Sequence, residues 1–144
     1  MKKELRLEEL TLEQKLGMVL CTNAQPGFSE NEIEKVLDMI REHRLGAVWV
    51  SRGARGRNEI LKRINEVADY PILIVGDAEQ GYDEYQFPAA RALGATGYNE
   101  DQAYAYGRVV GHELRGLGFN VMNGPVIDLS NVSMRHMGDR KSVV

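Results

Sequence analysis

The chain has 144 residues, enough for one domain with a sizeable core. Hydrophobic residues make up 43% and charged residues 27%, which excludes an intrinsically disordered chain. The net charge of -3 argues against a general nucleic-acid binder, because neutralising phosphates takes a clustered excess of Lys and Arg.

The single cysteine, Cys21, rules out an intrachain disulfide framework and a Cys-rich zinc site. Its place in the apolar run Leu16–Cys21 predicts a buried, inert thiol. The opening Met1-Lys-Lys-Glu-Leu-Arg6 has no apolar h-region, and no stretch approaches the ~20 apolar residues of a membrane span. A cytoplasmic protein without membrane contact is expected.

Taken in order, Thr11-Leu-Glu-Gln14 has capping-box spacing and predicts a short helix. Leu16–Cys21 follows as a first strand, and Asn23-Ala-Gln-Pro-Gly27 as a turn. Ser29-Glu-Asn-Glu32 is a second capping box, after which Ile33, Val36, Leu37 and Ile40 recur at helical spacing. Arg41, His43 and Arg44 fall in that helix's last turn, where cations suit the dipole, and Gly46 stops it.

Gly46–Ser51 reads as a short buried strand, and Ile60, Leu61, Ile64 and Val67 as one face of a helix over about 57–68. A strand then runs from Pro71 to Asp77. Residues 78–98 form a long connection without a clear period. Asn99 caps a longer helix with Ala103, Tyr106, Val110 and Leu114 on one face, ended by Gly116-Leu-Gly118. Phe119–Asn123 is the next strand, and Gly124-Pro-Val-Ile-Asp128 leads out of it.

Strands alternating with helices predict an α/β fold built on a parallel sheet with right-handed crossovers. Periodicity leaves two closures open, a doubly wound sheet or an arc of a (β/α)8 barrel. In both, functional residues gather at the carboxyl ends of strands. Ser51-Arg52, Asp77-Glu79 and Asn123–Asp128 should therefore share one rim.

Several chemistries lack their motif. Gly53-Ala-Arg-Gly56 follows a strand but has the wrong spacing for a dinucleotide fingerprint, and reads as a basic, solvated turn. The remaining possibility there is a phosphate site at Arg52, Arg55 and Arg57. His112-Glu113 lies on a helix, but position 116 is Gly, so zincin spacing fails. His43, His112 and His136 are scattered, which points to surface or capping histidines, and there is no G-x-S-x-G elbow. No metal or cofactor is expected.

Carboxylates remain. Asp77 and Glu79 stand two residues apart at a strand end, so an extended backbone turns both to one side. Such a pair suits sugar hydroxyls, as charge-assisted acceptors, or acid/base work as in glycosidases. The competing structural reading has one carboxylate capping the next turn and the other pairing with an arginine.

Three segments in order resemble the N-terminal domain of glycoside hydrolase family 3. They are Ile72-Leu-Ile-Val-Gly-Asp-Ala-Glu-Gln-Gly81, then Phe87-Pro88 with Ala92-Leu-Gly-Ala-Thr96, and then the helix 103–117 running into Gly118-Phe-Asn-Val-Met-Asn-Gly-Pro-Val-Ile-Asp128 and Gly138-Asp-Arg140. Leu10-Thr-Leu-Glu-Gln-Lys-Leu16 also looks like the family's opening.

The resemblance implies a (β/α)8 barrel, with residues 1–144 as one domain forming about its first half, since a whole barrel takes about 250 residues. It implies that Asp77 and Arg140 bind the sugar of the -1 subsite, and that Glu79 and Asp128 support the rim. The chain departs from the family at Tyr82-Asp-Glu-Tyr85, where many members carry an arginine, and at Lys141-Ser-Val-Val144, where they carry Ser-Phe-Gly after G-x-R. The family's nucleophile and acid/base residue lie later, so none of these residues is expected to be catalytic.

The implied parent reaction is retaining hydrolysis of β-glucosides or β-N-acetylglucosaminides, with a carbohydrate as the partner, and the isolated chain is expected to be inactive. The alternative is a non-catalytic truncated or split-gene fragment that forms a homo-oligomer or docks on a complementary barrel fragment. A phosphate- or nucleotide-binding module at Arg52–Arg57 is a third reading.

Overall fold

The computed structural model describes residues 2, 4–50, 54–77, 97 and 99–124, with the side chains of 54 and 55 excepted. Among them, four strands alternate with four α-helices. In order these are α1 (Leu12–Met18), β1 (Cys21–Asn23), α2 (Glu30–Arg41), β2 (Ala47–Val50), α3 (Ala54–Val67), β3 (Leu73–Asp77), α4 (Glu100–Leu117) and β4 (Val121–Asn123). A short 3-10 helix, Leu7–Glu9, precedes them.

The caps are made as their residue types dictate. Thr11, Ser29 and Asn99 each accept a hydrogen bond from the N3 backbone N–H, while the Gln or Glu side chain at N3 accepts one from the cap's own N–H. In α2 the Ser29 backbone and hydroxyl both donate to Glu32, and this holds its carboxyl below the usual range. Gly118 ends α4 in the left-handed region at φ 101°, which only glycine adopts without strain.

Two boundaries differ from the sequence reading. Leu16, Gly17 and Met18 close α1 instead of opening a strand, and β1 begins only at Cys21. The capping box commits this stretch to helix, and Gly17 is needed there for close packing: a Cβ on it would lie 2.3 Å from the Arg44 carbonyl oxygen. The stretch read as the turn Gly53–Gly56 begins a helix, since α3 starts at Ala54.

The strands are all parallel and lie in the order β1-β2-β3-β4. A doubly wound sheet reverses its order at a switch point, which sends helices to both faces. Here the order never reverses, so right-handed crossovers place every helix on one face. The fold is α/β, and the sheet is an arc of a TIM-like barrel.

Burial follows that arrangement. Val48, Val50 and Ile74 point at the helices and are buried with Ile33, Leu37, Ile40, Leu61 and Ile64 in one core. The alternate residues face the other way and are less covered; Leu73 is 51% exposed. Cys21 is one of these, and its thiol is exposed, contrary to the expectation of a buried one. An apolar run predicts burial only if the strand is covered on both faces, and this one is an edge.

At the amino ends of the strands, His43 leaves α2 at φ 56° instead of sitting in its last turn. Its Nε2 lies 2.8 Å from Asp69 Oδ1, and its ring meets Tyr70 edge-on. Tyr70 is buried and donates its hydroxyl to the Leu45 carbonyl.

Burial, with help from the Asp69 carboxylate, pushes the Tyr70 phenol up to about 12. The folded pKa lies above the ordinary 10.0, so the neutral phenol's contribution is complete below pH 10 and is lost as the pH rises toward 12. Between those limits the wild-type chain should lose roughly 2 kcal/mol more stability than Tyr70→Phe. Urea titrations of both proteins at several alkaline pH values check this, and parallel curves would refute it.

Candidate functional site

The parallel register sorts the inner-face residues into levels. Cys21, Ala47 and Leu73 share the lowest level, Asn23, Trp49, Val75 and Val121 the next, and Asp77 and Asn123 the top. Residues opposite each other in a parallel sheet point the same way, and successive levels lie about 6.6 Å apart. Asp77 is thus the last residue of β3, on the concave face and at the carboxyl rim where barrels carry their sites.

Asp77 is half-buried, and its Oδ1 is out of contact with solvent. The local sequence explains its position. Ile74 anchors the strand in the helix-facing core, and Gly76 leaves room for Phe119, whose ring atoms would lie 2.9–3.1 Å from a Cβ at that position. The close approach of Phe119 draws β4 against β3 and brings Asn123 level with Asp77. A carboxylate beside a carboxamide offers a strong acceptor next to a group that both donates and accepts, which matches vicinal hydroxyls.

Of the residues singled out from the sequence, the structure places Asp77 and Asn123 at one rim. Glu79, Asp128 and Arg140 lie outside the described residues, as do Ser51, Arg52 and His136. Arg57, offered with Arg52 and Arg55 as a phosphate site, is not a surface cation. It is fully buried, on the same α3 stripe as Ile60, Leu61 and Ile64. Its spacing of i, i+3, i+4 and i+7 with those residues was the available signal, and its charge masked it.

Two inner-face residues were missed. Asn23 was read as part of a turn, yet it ends β1 with an exposed amide. Trp49 was read only as strand core. It lies on the concave face with its Nε1 buried and, among the described residues, without a hydrogen-bond partner. Strict alternation from Val48 and Val50 would have placed it there once those two were assigned to the helix side.

Among the described residues, no group of three or more His, Cys, Asp or Glu side chains is arranged to hold a metal ion. His43 is engaged at the opposite end of the sheet, and His112 is exposed on α4. No helix among the described residues is long and apolar enough to cross a membrane. An open groove of about 330 Å³ runs along the flank of β4 and α4, lined by Gly111, Leu114, Phe119 and Met122 among others.

No curated protein and no solved structure matches the chain. The family model described as the glycosyl hydrolase family 3 N terminal domain matches residues 11–141. That span starts at the Thr11 cap of α1 and takes in all four strands and their crossover helices. With parallel strands in barrel order and an acidic rim at β3, the chain belongs to the glycosyl hydrolase family 3 N-terminal domain family.

Proposed function

We propose that this chain supplies the first arc of a glycosidase barrel and part of its -1 sugar subsite, with Asp77 as the anchor for sugar hydroxyls. The observation that carries this reading is the place of Asp77 on the concave face at the end of β3, level with Asn123. Arg140 would reach the same sugar, with Glu79 and Asp128 supporting the rim.

The parent reaction is hydrolysis, with retention, of a β-glucoside or β-N-acetylglucosaminide through a covalent glycosyl-enzyme, which takes a nucleophile and an acid/base residue. Asp77 has neither role here. It holds the ring, and the bond-breaking groups belong to later strands of a complete barrel. The 144-residue chain alone therefore binds sugar weakly and does not turn it over.

Calorimetric titration with glucose and N-acetylglucosamine tests the binding. Losing a charge-assisted hydrogen bond of roughly 1.5–3 kcal/mol should weaken binding about 10- to 100-fold in Asp77→Ala. Equal affinity in the variant, or no binding of either sugar by the wild type, would overturn the subsite reading. Turnover of an aryl β-glycoside by the pure chain would overturn the claim of inactivity.

A further inference from the structure

Inner-face residues that share a hydrogen-bonded level do not share a height along a barrel axis. Barrel strands coil right-handedly about that axis. Right-handed crossovers set each new strand to the right of the last, seen from outside with the carboxyl ends up. A hydrogen-bonded level therefore sinks toward the amino end from strand to strand. Eight strands share a stagger of eight residues, so it sinks by about one residue per strand. For this reason the side chains of one interior layer come from alternate strands.

The stagger regroups the concave face of this sheet. Asn23 on β1 shares its hydrogen-bonded level with Trp49 on β2 and Val75 on β3. Two strands on, that level has sunk by about two residues. The β3 residue at the height of Asn23 is therefore Asp77, two places beyond Val75. Asn23 and Asp77 are each the last residue of their strand, and both belong to the concave face. Trp49 stands on the strand between them, about one residue lower, as a floor. Asn23 is exposed, so its carboxamide is open to a ligand. Barrel interiors are otherwise filled by apolar, branched side chains, and polar groups at the carboxyl rim serve the site.

We propose that Asn23 is a second sugar-binding residue at this rim, on the reading of Asp77 as a hydroxyl anchor, and that it grips a hydroxyl across the ring from the one Asp77 holds. Strands two apart stand roughly 10 Å from one another. Side chains converging from that separation suit hydroxyls on opposite sides of one pyranose ring. Their chemistry is complementary as well. The Asp77 carboxylate only accepts, whereas the Asn23 carboxamide both donates and accepts, so it takes a hydroxyl in either orientation. The ligand class is a pyranose with free hydroxyls on both sides of its ring.

Calorimetric titration of the wild type, Asn23→Ala and Asp77→Ala with methyl β-glucoside and its monodeoxy analogues tests this. Because Asn23 is exposed, circular dichroism should show Asn23→Ala folded. Loss of one neutral hydrogen bond should weaken its binding of methyl β-glucoside about 2- to 10-fold. One monodeoxy analogue that the wild type binds poorly should bind Asn23→Ala as well as the parent glucoside does. A different analogue, lacking a hydroxyl elsewhere on the ring, should behave in that way with Asp77→Ala.

A purely structural role for Asn23 would weaken every analogue alike, and that result would overturn the proposal. The same hydroxyl emerging for both variants would also overturn it. Wild-type affinity in Asn23→Ala beside weakened binding in Asp77→Ala would remove Asn23 from the site and leave the Asp77 reading standing. A wild type that binds no glucoside would overturn both.

Discussion

Gly46→Ala is expected to remove a large fraction of the chain's folding stability at 25 °C. A Cβ on Gly46 would sit 1.8 Å from the Met18 carbonyl oxygen and 3.0 Å from the Met18 Cα. Neither is the end of a flexible side chain, so relief requires moving the segment between α1 and β1 bodily. That segment is bonded in place: Gly46 donates to the Gly17 carbonyl at 3.0 Å, and Ala47 to the Leu20 carbonyl at 3.1 Å. Moving it breaks both bonds and the start of the β1–β2 ladder.

Overpacking that backbone cannot relieve belongs with the exceptional losses, about 4 kcal/mol or more, against a total stability of roughly 5–15 kcal/mol. Gly107→Ala is the control. It lies within α4, and a Cβ there meets nothing within 4 Å. It should stabilise the chain by about 0.5–1 kcal/mol, because alanine is the better helix former. Urea denaturation of the two variants should move in opposite directions, and a Gly46→Ala midpoint near that of wild type would show that the α1–β1 segment yields easily.

The second large effect is expected at Asn120. This residue precedes β4, and its side chain acts as an extra peptide unit for β3. Its Oδ1 accepts from the Ile74 N–H at 2.7 Å, and its Nδ2 donates to the Ile72 carbonyl at 2.8 Å. Its own N–H donates to the Ile74 carbonyl at 3.1 Å. Asn120→Ala removes both side-chain bonds and leaves the Ile74 N–H of β3 and the Ile72 carbonyl just before it unmatched, at a cost of about 2–4 kcal/mol.

Asn120→Asp is the sharper probe. It keeps the shape and the bond from Ile74, but turns a carboxylate oxygen toward the Ile72 carbonyl. It should be at least as damaging near neutral pH as Asn120→Ala, and part of the loss should return in acid as the carboxyl protonates. Stability curves at pH 7 and pH 4 separate these outcomes, and an Asn120→Asp protein as stable as wild type at pH 7 would overturn the clamp. Because β3 ends at Asp77 and β4 brings Asn123 level with it, either substitution should also weaken the sugar binding proposed for this rim.

Much of the local structure was legible in the residues. Thr11, Ser29 and Asn99 announce three helix starts, because a capping box is complete within four residues and needs nothing else. Ile33, Val36, Leu37 and Ile40 are all buried, as their spacing requires. The end of β3 at Asp77 follows from an apolar run meeting a carboxylate. Where local signals conflicted the reading slipped: the apolar content of Leu16–Cys21 suggested strand, but the cap before it had already set the helix.

By itself, the sequence determined the alternation of strands and helices, the caps, and the acidic end of β3, since all of these rest on contacts between residues close along the chain. The tertiary structure decided that β1 to β4 lie in order without reversal, which makes the sheet an arc of a barrel and separates a helix-covered face from a concave one. It also decided that Arg57 is buried, that Cys21 is not, and that Trp49 and Asn123 share the concave face with Asp77. These depend on which elements become neighbours, and periodicity along one strand carries no information about the strand beside it.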